Sequence, residues 1–284
     1  MIKRILVALD PDGDTPVATR FAIRLAKRFD ASVTGLAIVD TTNIDSTIAV
    51  GGYGTEMLGN VVWSEMAEES RIVAERLLSS FKASVEKVGV RHRDIKKHGV
   101  SFDLIIDEMN YHDLFIAGRD SHFFYNQPDK ETGTLARVIK NGNAPAIIVT
   151  DEYRDVERVM VAFDGSGPAA RTLKGFVHLL PYGKDVEIEL VMIAGGNSID
   201  EMNRSSNILK QAEVYLIEHG FSYITKRVLD KGKTGERILN LQLERNPDML
   251  LLGAHSVSAV QRVAFGSTTH YLLENSQGTL FISP

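Results

Sequence analysis

The 284-residue sequence contains no cysteine. Disulfide bonds, thiol catalysis and cysteine-ligated zinc or iron–sulfur sites are therefore excluded. The absence of cysteine fits a reducing compartment, and we expect a soluble cytoplasmic protein.

The sequence also lacks an excess of positive charge and a long apolar run. Its formal net charge of -5 gives no general attraction to nucleic acid or to anionic lipid. The apolar run inside MIKRILVALD is too short for a signal peptide or a membrane span. We expect small molecules and an unidentified protein as partners, and neither nucleic acid nor membrane.

Several catalytic patterns are missing as well. The segment 231–234 contains the GKT of a P-loop, but Arg227 stands where that motif requires glycine. The glycines of 51–54 do not open a helix after the first strand, which excludes a dinucleotide fingerprint and favours a mobile loop or lid. The histidines lack metal-site spacing, and no serine lies in a G-x-S-x-G motif. We predict no catalytic residue, and slow ATP hydrolysis stays open as a weak activity.

The sequence repeats itself in order. Each half has an opening apolar run that ends in aspartate, a later run that leads from aspartate to glycine, and a glycine–hydroxyl pair before a helical pattern. Three ordered matches indicate a duplication, with domains at 1–150 and 156–284 and a linker at 151–155. The matched pairs are KRILVALDPDG at 3–13 with ERVMVAFDGSG at 157–167, DLFIAGRDS at 113–121 with DMLLLGAHS at 248–256, and Gly133-Thr134 with Gly266-Ser267.

Short apolar runs alternate with longer amphipathic segments in both halves, which is typical of a parallel sheet covered by helices. We predict an α/β fold of two doubly wound five-stranded domains, each with strand order 3-2-1-4-5, packed as a pseudo-two-fold pair. The predicted strands are 5–9, 32–39, 94–98, 114–117 and 146–149, then 159–163, 186–193, 223–229, 249–252 and 279–282. The predicted helices are 16–29, 63–88, 169–180, 199–219, 233–244 and 267–275.

The second half contains a candidate anion site. Gly253-Ala254-His255-Ser256 is followed, after nine residues, by Gly266-Ser267-Thr268 at a predicted helix start. Glycine allows close approach to a phosphate, and the unpaired amides and hydroxyls of a helix start supply hydrogen-bond donors.

This spacing resembles the G-x-x-G, nine residues, G-S/T motif of nucleotide-binding members of the universal stress protein family, except that Ser256 replaces the second glycine. The resemblance implies ATP, with or without Mg²⁺, as ligand, and a nucleotide-responsive stress or signalling role. It places Asp164 beside the ribose and the backbone of Met192 at the adenine edge. The remaining residues that it implies as ligands are Gly253, Ser256, Gly266, Ser267 and Thr268.

We expect a weaker, altered or empty site in the first half. There, eleven residues separate Ser121 from Gly133, and the longer loop contains Phe123, Phe124, Tyr125 and two acidic residues. Acidic groups oppose anion binding unless a cation intervenes. The first-half residues taken as equivalent are Asp10, Ile38, Gly118, Ser121, Gly133 and Thr134.

Two alternatives stay open at this stage. In the first alternative, the nucleotide sites have decayed and the chain is an interaction module. The loop at 40–62 and the aromatic residues at 123–125 would then form the contacts with a partner. The basic cluster around 91–98 indicates either RNA binding or lysines that protect the edge of a sheet, and the acidic whole favours edge protection. Whether two chains associate further is also open.

Overall fold

The computed structural model describes residues 1–40, 56–125, 133–179, 181–254 and 267–283. The chain divides into two compact units, Ile2–Ala144 and Pro145–Pro284, and Met1 is grouped with the second. Among the described residues, no helix has the length and apolarity that a membrane span requires.

The first unit is a parallel sheet with the strand order β3-β2-β1-β4. The central strands are buried because their Val, Ile, Leu and Ala side chains are covered on both faces. Its elements are β1 (Arg4–Ala8), α1 (Asp14–Phe29), β2 (Ser32–Val39), α2 (Glu56–Glu86), β3 (His92–His98), α3 (Ser101–Met109), β4 (Leu114–Gly118) and α4 (Thr134–Asn141).

The second unit has the parallel order β8-β7-β6-β9-β10, which is the predicted order 3-2-1-4-5. Its elements are β5 (Ala146–Val149), β6 (Arg158–Ala162), α5 (Gly167–Leu179), β7 (Glu187–Ile193), α6 (Ile199–Glu218), β8 (Ile224–Leu229), α7 (Thr234–Arg245), β9 (Met249–Gly253), α8 (Ser267–Asn275) and β10 (Thr279–Ser283).

Strand β5 has a partner that the prediction did not include. The apolar run at 146–149 is a strand as expected, but it lies in the second compact unit and pairs antiparallel with β10. All four of its residues are buried. An apolar run indicates burial and extended structure, but it does not identify the neighbouring strand or its direction. The sequence therefore predicted this strand without its antiparallel partner.

Helix ends follow local sequence signals. Helix α6 begins after Ser198, whose side-chain oxygen accepts a hydrogen bond from the backbone N–H of Glu201 at 3.3 Å. Ser198 and Glu201 have the S-x-x-E spacing of a capping box. Helix α1 ends at Asp30, which adopts a left-handed conformation and donates its backbone N–H to Ala26. Helix α2 begins at Glu56, seven residues before the predicted start at 63.

The aspartates shared by the repeat have the same structural role in both halves. Asp113 accepts hydrogen bonds from the backbone N–H groups of Lys3 and Arg4, at 2.7 and 2.9 Å. Asp248 accepts the corresponding bonds of Glu157 and Arg158, at 3.0 and 2.8 Å. Each carboxylate thus satisfies two backbone donors where the first strand of its repeat begins, which explains why both runs start with aspartate.

The basic cluster lies on the edge strand β3 of the first unit. Lys96 pairs with Glu75 of α2 at 2.9 Å, and Lys97 pairs with Glu108 of α3 at 2.6 Å. These lysines are engaged with neighbouring helices and lie on an exposed edge, which fits the edge-protection interpretation.

Candidate functional site

A pocket of about 360 Å³ lies in the second unit at the carboxyl ends of its parallel strands. Such ends, where successive strands diverge, are the usual ligand-binding edge of an open α/β sheet. The structure brings four of the predicted site residues together in the walls of this pocket: Asp164, Met192, Gly253 and Thr268.

The turn after β6 presents the first of these residues. Asp164 is exposed, and its Oδ1 accepts a hydrogen bond from the backbone N–H of Ser166 at 2.9 Å. Gly165 between them has a φ of +76°, a conformation that glycine adopts without strain. The Ser166 hydroxyl oxygen accepts a hydrogen bond from the backbone N–H of Ala169 at 3.3 Å, so Ser166 acts as the N-cap of α5.

Gly253 allows β9 to approach helix α5 closely. A β-carbon at this position would lie 2.8 Å from the backbone nitrogen of Ala169 and 2.9 Å from the carbonyl carbon of Pro168. Because backbone atoms cannot rotate away, any side chain here would push the strand and the helix apart. The Thr269 hydroxyl of α8 donates to the Gly253 carbonyl at 2.8 Å, which fixes the start of α8 against the same residue.

The other members of the predicted motif are distributed unevenly. Ser267 is the first residue of α8 and is exposed, whereas Thr268 is half-buried and lines the pocket. Ser256 and Gly266 lie outside the described residues, as does His255 between Ala254 and Ser256.

Several residues that line the pocket were not predicted from the sequence, among them two on helix α7. Thr234, the first residue of α7, and Ile238, one turn further on, both line the pocket. Thr234 belongs to the GKT segment that does not form a P-loop. Its position directly after β8 was the available signal, because every connection after a parallel strand opens at this edge of the sheet.

The strand register gives a second-half counterpart for Ile38 that differs from Met192, the residue that the sequence comparison had given. Ala8 pairs with Leu36, and its repeat counterpart Ala162 pairs with Val191. Counting two residues onward along β2 and β7 makes Ile193 the counterpart of Ile38, one residue beyond Met192. Met192 and Ile193 both line the pocket.

In the first unit, the corresponding crevice contains the chain's own aromatic residues. Phe123, Phe124 and Tyr125 are buried, with 1%, 1% and 4% of their surface exposed. The Tyr125 hydroxyl accepts a hydrogen bond from the backbone N–H of Ile38 at 3.0 Å and donates one to the Leu9 carbonyl.

Asp10 is buried, unlike the exposed Asp164 of the second unit. Its Oδ2 accepts a hydrogen bond from the backbone N–H of Phe123 at 2.5 Å. Burial raises the pKa of the Asp10 carboxyl well above its ordinary value, and a hydrogen bond and charge repulsion from Asp12 raise it further.

Gly118 and Ser121 are also buried in this crevice, and Gly118 lies against the side chain of Asp14. The Asp14 carboxylate accepts a hydrogen bond from the backbone N–H of Asp120 at 3.1 Å. Gly133 precedes α4 with a φ of +63° and is exposed. Thr134, the first residue of that helix, is buried.

Across the ranges that the structure describes, no group of three or more His, Asp or Glu side chains has a metal-binding arrangement.

Comparison with known proteins gives a consistent family. The model of the "Universal stress protein family" matches residues 1–111 and 155–284. A universal stress protein of Synechocystis is 22% identical over 97% of this chain and 97% of its own. The crystal structure of a universal stress protein from Archaeoglobus fulgidus shares 17% identity, covers 99% of this chain and 95% of that chain, and has a TM-score of 0.68.

A solved structure that matches 46% of this chain and 98% of its own, with 18% identity and a TM-score of 0.38, is a universal stress protein in complex with cAMP. The family match covers most of both repeats, and the full-length structural match reproduces the fold. This chain belongs to the universal stress protein family as a tandem, two-domain member.

Proposed function

We propose that the second half binds an adenine nucleotide, ATP with or without Mg²⁺, and that the chain acts as a nucleotide-responsive stress or signalling protein. The observation that carries the proposal is the single pocket into which Asp164, Met192, Gly253 and Thr268 converge. Its volume of about 360 Å³ lies within the range of roughly 300 to 1,000 Å³ that is usual for small-molecule sites.

Backbone groups at one end of the pocket match the edge of an adenine ring. The Phe163 N–H donates to the Val191 carbonyl at 2.9 Å, so the backbone of Phe163 faces β7. In a parallel strand, N–H and C=O groups of every second residue point to the same neighbour. Ile193 therefore faces the β6 side, where its N–H and the Phe163 carbonyl offer one donor and one acceptor. Adenine N1 and the N6 amino group are complementary to that pair.

The other end of the pocket suits a phosphate chain. First-turn residues of three helices line it: Ala169 of α5, Thr234 of α7 and Thr268 of α8. Helix N-termini present unpaired N–H groups and a partial positive charge, and both favour a bound phosphate. Asp164 is exposed and lines the same pocket, where a carboxylate can bind ribose hydroxyls or a phosphate-bound magnesium ion.

Isothermal titration calorimetry of the full chain with ATP tests the proposal. Thr268→Val replaces a hydroxyl in the pocket wall with a methyl group of similar size. Thr225→Val is the matched control, because it makes the same change at an exposed threonine of β8 that is not part of this pocket. A hydrogen bond to a charged group contributes about 1.5–3 kcal/mol, so Thr268→Val should weaken ATP binding by about tenfold or more. Thr225→Val should leave the affinity unchanged.

Equal affinity for ATP in wild type and Thr268→Val would mean that the Thr268 hydroxyl does not bind the nucleotide. No heat of binding for ATP, with or without Mg²⁺, would contradict the proposed function. It would favour the alternative of an interaction module, in which the crevices have lost their ligands and the surface binds a protein.

A further inference from the structure

The crevice of the first half contains a segment that we call the aromatic loop, residues 119–125. Its Tyr125 hydroxyl bridges two backbone groups, because it accepts from the Ile38 N–H and donates to the Leu9 carbonyl. Burial, with the nearby Asp10 charge, raises the pKa of the Tyr125 phenol, so the hydroxyl keeps its proton and donates. Leu9 directly follows β1 and Ile38 lies in the neighbouring strand β2, so the hydroxyl lies just beyond the end of β1.

The bridged groups are the repeat counterparts of the base-binding pair in the second half. Leu9 aligns with Phe163 in the opening run, and the strand register aligns Ile38 with Ile193. A tyrosine hydroxyl supplies one donor and one acceptor, as does the adenine edge. The Tyr125 hydroxyl therefore makes the hydrogen bonds to the Leu9 carbonyl and the Ile38 N–H that the edge of a bound base would otherwise make.

A carboxylate occupies the phosphate end of the same crevice. Asp14 accepts the backbone N–H of Asp120, in the loop directly after β4. A β-carbon at Gly118 would lie 2.3 Å from Asp14 Cβ, so this side chain fills the space beside the glycine. In the second half the aligned residue is Pro168, which has no charge and cannot accept a hydrogen bond through its side chain. Asp14 thus supplies an oxygen acceptor to the backbone of this loop, as a bound phosphate does for the backbone amides of an anion site.

The aromatic loop is held in an unusual backbone conformation. Phe123 has a φ of +60°, which is unfavourable for a residue with a bulky side chain. Its N–H donates to Asp10, and its carbonyl accepts from the Ser101 hydroxyl at 3.2 Å. Both bonds are buried, so the surrounding structure compensates for the local strain and keeps Tyr125 in place.

We infer that the aromatic loop is an internal ligand of the first crevice, with Tyr125 in place of a base and Asp14 in place of a phosphate. The first half is closed to nucleotide, so any nucleotide that the chain binds lies in the second half. Removal of the Tyr125 ring should create a buried cavity with one free donor and one free acceptor. Such a cavity binds a small flat aromatic molecule that carries a hydroxyl or an amino group. The inference concerns the first half and does not require that the second half bind nucleotide.

The test is hydrogen exchange by mass spectrometry on the full chain, read at the segment around Ile38. In Tyr125→Ala this segment should exchange at least about tenfold faster than in wild type, because the Ile38 N–H loses its buried partner. Millimolar p-cresol, the side-chain fragment of tyrosine, or adenosine should restore the protection. Tyr125→Phe is the control: it keeps the ring, leaves no cavity and should not respond to either compound. Unchanged exchange in Tyr125→Ala, or no response to either compound, would overturn the inference.

Wild-type protein provides a second measurement that does not depend on whether Tyr125→Ala folds. With saturating ATP, exchange at Ile38 and across the aromatic loop should stay unchanged, whereas the segment around Ile193 should become protected. Slower exchange at Ile38 with ATP would show that nucleotide enters the first crevice and would refute the internal ligand. If ATP changes neither segment, the closed first crevice stands and the proposed function of the second half fails.

Discussion

Replacing Tyr125 with phenylalanine removes one oxygen atom and keeps the ring that fills the first crevice. That oxygen makes two hydrogen bonds, to the Ile38 N–H and to the Leu9 carbonyl, and the side chain is almost completely buried. Each bond contributes about 0.5–1.5 kcal/mol, and a buried group left without a partner costs about 1–3 kcal/mol. We expect Tyr125→Phe to lower the free energy of unfolding of the first unit by about 2–4 kcal/mol.

Urea unfolding followed by tryptophan fluorescence measures this loss of stability in the first unit. The only tryptophan of the chain is Trp63, which lies in helix α2 of the first unit. With a urea dependence of about 1–3 kcal/mol per molar, the unfolding midpoint should fall by about 1 M or more. Tyr111→Phe is the matched control, because the Tyr111 side chain is 68% exposed and its loss should leave the midpoint unchanged.

The result that would refute this reasoning is a loss below about 0.5 kcal/mol for Tyr125→Phe, equal to that of the control. The Ile38 N–H would then have another partner, or the Leu9 and Ile38 backbones would bond directly. Either case would mean that the tyrosine hydroxyl is not needed to hold these two strands apart.

Two further changes test the carboxylates. The pKa of Asp10 is higher in the folded chain than its ordinary value of 3.8, so the folded state binds more protons and wild-type stability should fall as pH rises above that value. Asp10→Asn keeps an acceptor for the Phe123 N–H and should flatten this decline in urea midpoints measured at several pH values; an unchanged slope would contradict the assignment. Asp248→Ala should cost about 2–4 kcal/mol in thermal denaturation, because the backbone N–H groups of Glu157 and Arg158 lose their acceptor. Asp248→Asn keeps one acceptor oxygen and should cost less, and equal losses would contradict the pairing.

Much of the fold followed from local sequence pattern. Runs such as RILVA at 4–8 and MLLLG at 249–253 became buried parallel strands because short apolar segments bounded by polar turns have few other stable arrangements. The repeat predicted the same order of strands for the second half. It also predicted that Asp113 and Asp248 are equivalent, and each accepts two backbone hydrogen bonds at the start of the first strand of its repeat. The antiparallel pairing of β5 with β10 was not predictable, because an apolar run does not specify which strand it joins.

The candidate site was predicted less completely. Spacing identified Gly253 and Thr268, and the family resemblance identified Asp164; all three line one pocket of the structure. Thr234 and Ile238 were missed because their contribution depends on how α7 packs against α8 and β7. The choice between Met192 and Ile193 depends on strand register, which a one-residue shift changes and which sequence spacing alone does not define.

The sequence by itself determined the duplication, the α/β class, the exclusion of thiol chemistry and the glycine motif of the second half. These follow from composition and from periodicities that act over a few residues. Only the tertiary structure decided that Tyr125, 87 residues from Ile38, bonds to its backbone, and that Asp14 accepts the N–H of Asp120. Contacts over such separations arise from the packing of the whole domain, and they distinguish the filled crevice of the first half from the open pocket of the second.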